Sequence, residues 1–159
     1  MLLKEIKQYS FVDNLLLEEI NIPNKIELLS PQAFINTPSL KCIMKQSNKK
    51  YFVMKDYSIY SPKRELIFVP RNLESFKVMP KCHVIYEGAF CGANIKSVTF
   101  SDESLKRIEK RAFAHSTGLK EIKIPKSIKY IGEEAFIDCQ NLVTVEFDQF
   151  SKLVEIPKF

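Results

Sequence analysis

The chain has 159 residues, 45% of them hydrophobic and 27% charged, and a formal net charge of +5. This is an ordinary globular balance, which excludes a mainly disordered chain. Five surplus positive charges fall short of the dense positive field of a dedicated nucleic-acid binder.

No apolar run reaches the ~18 residues that a membrane-spanning helix needs. The first ten residues, MLLKEIKQYS, carry charge from the fourth onward and lack the apolar stretch of a signal peptide. On that ground the chain is expected either to stay in the cytoplasm or to depend on a signal outside this segment. No Asn-x-Ser/Thr acceptor occurs.

One pattern then recurs in chain order. Leu3, Ile6 and Phe11 fit the second half of a unit over residues 1–16. A full unit covers residues 17–39, with apolar positions Leu17, Ile20, Ile22, Ile26, Leu29, Ala33 and Phe34. An irregular unit, residues 40–72, has no Ala-Phe pair. It holds three short β-like runs, 51–54, 58–60 and 66–69, the last ended by Pro70, and reads as a hairpin-like insertion. Regular units resume at 73–94 (Leu73, Phe76, Val78, Cys82, Ile85, Ala89, Phe90) and at 95–118 (Ile95, Val98, Phe100, Leu105, Ile108, Ala112, Phe113). Residues 119–141 repeat unit 17–39 without a gap, through Leu119, Ile122, Ile124, Ile128, Ile131, Ala135 and Phe136. A partial unit, 142–159, follows. The landmarks Leu17, Leu40, Leu73, Ile95, Leu119 and Leu142 are 23, 33, 22, 24 and 23 residues apart.

In each unit the L-x-x-I-x-I stretch alternates with period two, so it is a short strand with one buried face. Pro23 and Pro125 stop it. Gly132-Glu133-Glu134-Ala135-Phe136 is expected to be a short helical turn, with Glu near its start favoured by the dipole. One unit cannot bury its own apolar row, whereas stacked units share a continuous core. The repeat therefore predicts a leucine-rich-repeat solenoid: one domain over 1–159, mainly β, with short parallel strands, short helical turns and an insertion within 40–72.

The pattern I-P-x-x-I-x-x-I-G-x-x-A-F-x-x-C-x-N-L, held from 124 to 142, resembles the BspA-like leucine-rich repeats of surface-antigen-like proteins. Of the residues three places after Phe, only Cys139 keeps that family's Cys. Thr37 and Ser116 stand there in two other units. The resemblance implies a right-handed solenoid, a role in binding, often adhesion at a cell surface, and no catalytic residues.

No phosphate loop, dinucleotide fingerprint or nucleophile elbow occurs, and no cofactor is expected. The acidic neighbours Glu18-Glu19 and Glu133-Glu134 do not make a general acid-base dyad. The four cysteines, Cys42, Cys82, Cys91 and Cys139, contain no CxxC pair. They could pair as disulfides or be buried thiols filling apolar gaps. Cys82, His83 and Cys91 match no zinc spacing.

Two surfaces are candidates for binding. Alternation places Glu19, Asn21, Ser75, Lys77, Ser97, Thr99, Glu121, Lys123, Thr144 and Glu146 on the strand face away from the core. They are expected to line a concave side as adjacent rungs, either merely solvated or forming a partner site. The insertion holds Tyr51, Phe52, Tyr57, Tyr60 and Phe68. These form its own small core or, at Tyr57 and Tyr60, a contact point. Lys45, Lys49, Lys50, Lys55, Lys63, Arg64 and Arg71 surround it, which suits an acidic partner or plain solubility.

Two readings follow. The first is a non-catalytic protein-protein interaction module of the adhesion or surface-antigen type. The second is a structural spacer within a longer array, for which uncapped ends predict self-association. The rungs lack the repeated basic and stacking groups of a nucleic-acid groove, so no nucleic acid is expected.

Overall fold

The computed structural model describes residues 3–153 and 156–157. The ends of the partial units, at residues 1–2, 154–155 and 158–159, lie outside the described residues. The described residues form twelve strands: β1 (Glu5–Ile6), β2 (Leu28–Leu29), β3 (Phe52–Val53), β4 (Ile59–Tyr60), β5 (Glu65–Phe68), β6 (Ser75–Val78), β7 (Val84–Ile85), β8 (Ser97–Phe100), β9 (Arg107–Ile108), β10 (Glu121–Ile124), β11 (Tyr130–Ile131) and β12 (Thr144–Phe147). It is a leucine-rich-repeat solenoid, as the period predicts.

Coils 73–94, 95–118 and 119–141 contribute two strands each, whereas coil 17–39 contributes β2 and an isolated bridge at Glu19. The strands β6, β8, β10 and β12 form the parallel pairs β6–β8 and β10–β12, with β8 beside β10. The two-residue strands β7, β9 and β11 stack in parallel on a second edge. The inward residue of each, Ile85, Ile108 and Ile131, is buried.

The expected helical turns are absent. The sole helical segment among the described residues is one 3-10 turn, Pro31–Phe34. In the other coils the Phe-bearing turn (Ser10-Phe11 in the first, Ala-Phe in the rest) is a loop bracketed by two left-handed residues four apart: Tyr9 and Asp13, Gly88 and Gly92, Arg111 and His115, Glu134 and Asp138. The reason lies in the hydrogen bonds. Phe90 N–H donates to Ala112 O (2.8 Å), Gly92 to Ala114 (2.9 Å), Phe113 to Ala135 (2.8 Å) and His115 to Ile137 (2.9 Å). These donors serve the next coil. A segment this short is too brief to hold a helix on its own, so lateral bonding wins.

The aromatic plugs follow the same ladder. Phe90, Phe113 and Phe136 stack at 4.5 and 5.0 Å between ring centroids, and Phe11 stacks on Phe34 at 5.6 Å. Each such pair adds about 1 kcal/mol beyond its buried area. The ladder breaks between Phe34 and Phe90, where unit 40–72 supplies no Ala-Phe turn.

At that break β3, β4 and β5 pair antiparallel, and β5 also pairs in parallel with β7. Two apolar cores meet there. Tyr60, Leu66 and Val69 belong to the C-terminal one; Tyr51, Ile59, Ile67 and Phe68 belong to the N-terminal one. The run Leu66-Ile67-Phe68-Val69 is apolar without alternation because β5 is a wall with a core on each side.

Candidate functional site

The seam between the cores is closed by side chains that do the work of a missing turn. On the turn edge, coil 73–94 lies directly against coil 17–39. A Cβ on Gly88 would come within 2.7 Å of Gln32 Cγ, and one on Gly92 within 2.9 Å of Asn36 N. Both glycines also have φ near +70°, so each serves conformation and close approach together. Gln32 Nε2 donates to Glu87 Oε1 across the junction at 2.7 Å.

Arg71 lies beneath. It is fully buried, not part of the basic surface the sequence implies. Its Nη1 donates to Val69 O (3.1 Å) and Ala89 O (2.8 Å), and its Nη2 to Pro31 O (3.2 Å) and Gly88 O (3.4 Å). The guanidinium also sits 4.7 Å from the centroid of the Phe68 ring. Burial pushes its pKa down to about 10, so it stays charged at neutral pH. Elsewhere turn carbonyls such as Ala112 O accept from backbone N–H groups of the preceding coil. Here the planar fork of Arg supplies donors instead. The only trace in the sequence is the loss of Ala-Phe in unit 40–72.

The predicted rungs are exposed: Glu19, Asn21, Lys77, Thr99, Glu121, Lys123, Thr144 and Glu146 all face solvent. Strand pairing puts Lys77 beside Thr99, Glu121 beside Thr144, and Lys123 beside Glu146. Glu19 and Asn21 are set apart from these. Glu19 pairs with Cys42, which is buried, so the polar row is interrupted at unit 40–72. Glu19 instead binds Lys45 Nζ at 2.8 Å, and that ion pair lowers its pKa.

Of the insertion contacts, Tyr57 is 43% exposed but Tyr60 only 3%. Tyr60 is therefore not a surface contact. Its hydroxyl accepts the Met79 N–H at 3.2 Å, and β4 is internal to its sheet. The signal available in the sequence was the apolar run 66–69: a strand covered on both faces needs buried neighbours.

The cysteines are free thiols, with Cys42, Cys82 and Cys91 buried. Burial raises Cys82 and Cys139 to about 11, so both are neutral at physiological pH. Among the described residues no three His, Cys, Asp or Glu side chains converge as a metal site. No described helix is long and apolar enough to cross a membrane.

The BspA type leucine-rich repeat region matches in six copies, over residues 2–61 and 64–158. The chain belongs to the BspA-type leucine-rich repeat family. Two solved structures share its fold. A leucine-rich repeat protein from Eubacterium ventriosum is 24% identical, with a TM-score of 0.77, covering 91% of this chain and 39% of that one. The pneumococcal vaccine antigen PcpA is 23% identical, with a TM-score of 0.62, covering 92% and 43%. The chain thus spans about two fifths of the proteins it matches. No curated protein matches it.

In this BspA-type repeat the residue three places after Phe has a physical task. Ser116 Oγ donates to Phe90 O (2.8 Å) and Cys139 Sγ to Phe113 O (3.1 Å), each capping a carbonyl of the preceding coil. Thr37 caps Phe34 O of its own coil at 2.7 Å. Unit 73–94 carries Ala93 at this position. The coil before it has no Ala-Phe turn to cap.

Proposed function

We propose that this chain is a non-catalytic protein-interaction module whose outward strand face contacts another protein, in the manner of an adhesion or surface-antigen repeat at a cell surface. The observation that carries this is the polar surface of the two in-register pairs β6–β8 and β10–β12, which lie side by side. It displays Lys77, Thr99, Glu121, Lys123, Thr144 and Glu146 on a backbone held by parallel pairing. Rigid presentation lowers the entropy lost on binding. The family and the fold it shares with PcpA support the surface reading.

The test is a triple charge reversal, Glu121→Lys, Lys123→Glu and Glu146→Lys. A partner is retrieved with the unaltered chain and purified, and its affinity is measured for both proteins. At least tenfold weaker binding, about 1.4 kcal/mol, is expected. Equal affinity overturns the assignment of this face.

A structural-spacer reading has its own support. Val145, Phe147 and Ile156, each between 38% and 45% exposed, line with Phe136 an apolar groove of about 480 Å³ at the C-terminal end. A further coil or a second copy would bury it. Concentration-dependent association in sedimentation, abolished by Phe147→Glu, supports a second copy. Monomer at all concentrations counts against self-association.

A further inference from the structure

The charge of this chain is distributed unevenly. Residues 43–72 carry seven Lys and Arg against two Asp and Glu, while the rest carries 17 of each, so the whole net +5 lies in the insertion. The coils use their charges on one another. Lys4–Glu27, Lys41–Glu18, Lys96–Glu74, Lys110–Glu133 and Arg111–Glu134 all join neighbouring coils, 22 or 23 residues apart. Three of the insertion's cations are likewise occupied. Arg71 is buried, Lys45 pairs with Glu19, and Lys50 Nζ donates to Glu27 O at 3.1 Å. Lys49, Lys55, Lys63 and Arg64 are exposed and make no ion pair among the described residues.

The same segment holds the exposed apolar side chains Phe52 (47%) and Met54 (40%). With Pro62, Arg64 and Met79 they line a groove of about 400 Å³. Strand addition is not the mode of recognition at this edge. Val53 N–H donates to Ser47 Oγ (2.9 Å) and Tyr51 N–H to Asn48 Oδ1 (2.8 Å), so side chains already occupy the outer donors of β3. Recognition falls to side chains: an apolar slot rimmed by uncompensated cations.

We infer that the insertion is a docking site for an acidic polypeptide segment that carries an aromatic or large apolar anchor. The anchor enters the Phe52–Met54–Met79 groove, and carboxylates meet Lys49, Lys55, Lys63 and Arg64. Charge complementarity selects the acidic partner and steers encounter. The recessed groove favours an inserted side chain over a flat membrane surface. This inference rests on the protein-interaction reading and gives it a second, separate surface.

The probe is a random Glu-Tyr copolymer, compared with poly-Glu of equal length, with phosphatidylcholine vesicles containing 20% phosphatidylserine, and with heparin. The Glu-Tyr copolymer is expected to bind at least tenfold more tightly than poly-Glu, with an affinity that falls as salt rises. Two charge-matched variants are then compared. Reversal of Lys49, Lys55, Lys63 and Arg64 to Glu should weaken binding at least tenfold. Reversal of the exposed Lys25, Lys120, Lys126 and Lys129 to Glu should leave it within threefold. Phe52→Ser with Met54→Ser should remove the preference for the tyrosine copolymer while poly-Glu binding persists. Circular dichroism and melting curves check each fold; if the fourfold insertion variant does not fold, Lys63→Gln with Arg64→Gln reports the same charge effect. The inference is overturned if both fourfold variants lose binding equally, or if vesicles or heparin bind more tightly than the copolymer through these residues. Loss of partner on strand-face reversal, with no effect of insertion reversal, would sink this inference and leave the interaction module standing.

Discussion

Replacing Arg71 with Met tests the idea that one guanidinium stands in for a missing coil. Removing it leaves Val69 O without the donor it has in the structure, whereas Ala89 O keeps Val69 N–H, Gly88 O keeps Cys91 N–H and Pro31 O stays within its 3-10 turn. One buried carbonyl without a donor costs about 2 kcal/mol. The lost cation–π contact with Phe68 adds about 2 kcal/mol in a desolvated site. Against this, the fall in pKa from 12.5 to about 10 shows that burying the charge costs about 3 kcal/mol, which the apolar side chain recovers. The balance is a loss of about 1 kcal/mol, or roughly 2–4 °C in Tm for a chain of this size. Arg71→Lys should be worse. It keeps the buried charge, but a single ammonium cannot reach carbonyls on three segments. The assay is calorimetry with hydrogen exchange. Because the residue joins two cores, the Met variant should melt in two steps, with residues 5–36 losing protection before 73–147. A neutral or stabilising Arg71→Met, or a Lys variant as stable as wild type, refutes the reasoning.

Phe113→Ala removes the plug between Phe90 and Phe136 and should cost about 4 kcal/mol in urea unfolding, more than Phe11→Ala at the N-terminal end of the ladder. Cys139→Ser keeps a donor for Phe113 O and should stay within about 1 kcal/mol of wild type, while Cys139→Ala should lose about 1 kcal/mol more than the Ser variant. The Cys82 thiol is raised from 9.0 to about 11, so above pH 9 the unfolded chain releases this proton first and stability falls as pH rises. From pH 8 to 10.5 wild type should lose about 2 kcal/mol more than Cys82→Ala; parallel pH profiles would contradict the burial of that thiol. Gly132→Ala should cost about 1–3 kcal/mol, because its Cβ would meet the Lys110 backbone nitrogen and force two coils apart.

The repeat was readable because stacking imposes one requirement on every coil. An inward Ile or Leu must recur at each strand, and a Phe must recur at each turn, or a gap opens. That is why unit 119–141 overlays unit 17–39 residue for residue. The turn conformation was misread for a local reason. Gly-Glu-Glu-Ala-Phe has helix-favouring composition, but its amides are needed by the neighbouring coil. Local propensity cannot register a partner 22 or 23 residues away. The candidate contacts divide along the same line. Strand alternation correctly turned Lys77, Glu121, Lys123 and Glu146 outward. Tyr60 was misplaced because its burial depends on β4 lying between β3 and β5.

Sequence by itself determined the period, the first strand of each regular coil, the outward polar rows and the place where the period fails. Each of these follows from spacing along one chain. Only the tertiary structure decided what happens at that failure. Coil 73–94 closes directly on coil 17–39 at the turn edge, Arg71 changes from a surface cation to a buried donor, and segment 43–72 carries the whole net positive charge of the chain. The reason is that each outcome depends on which backbone donors and carboxylates another coil brings within reach, and a one-dimensional pattern does not contain that distance.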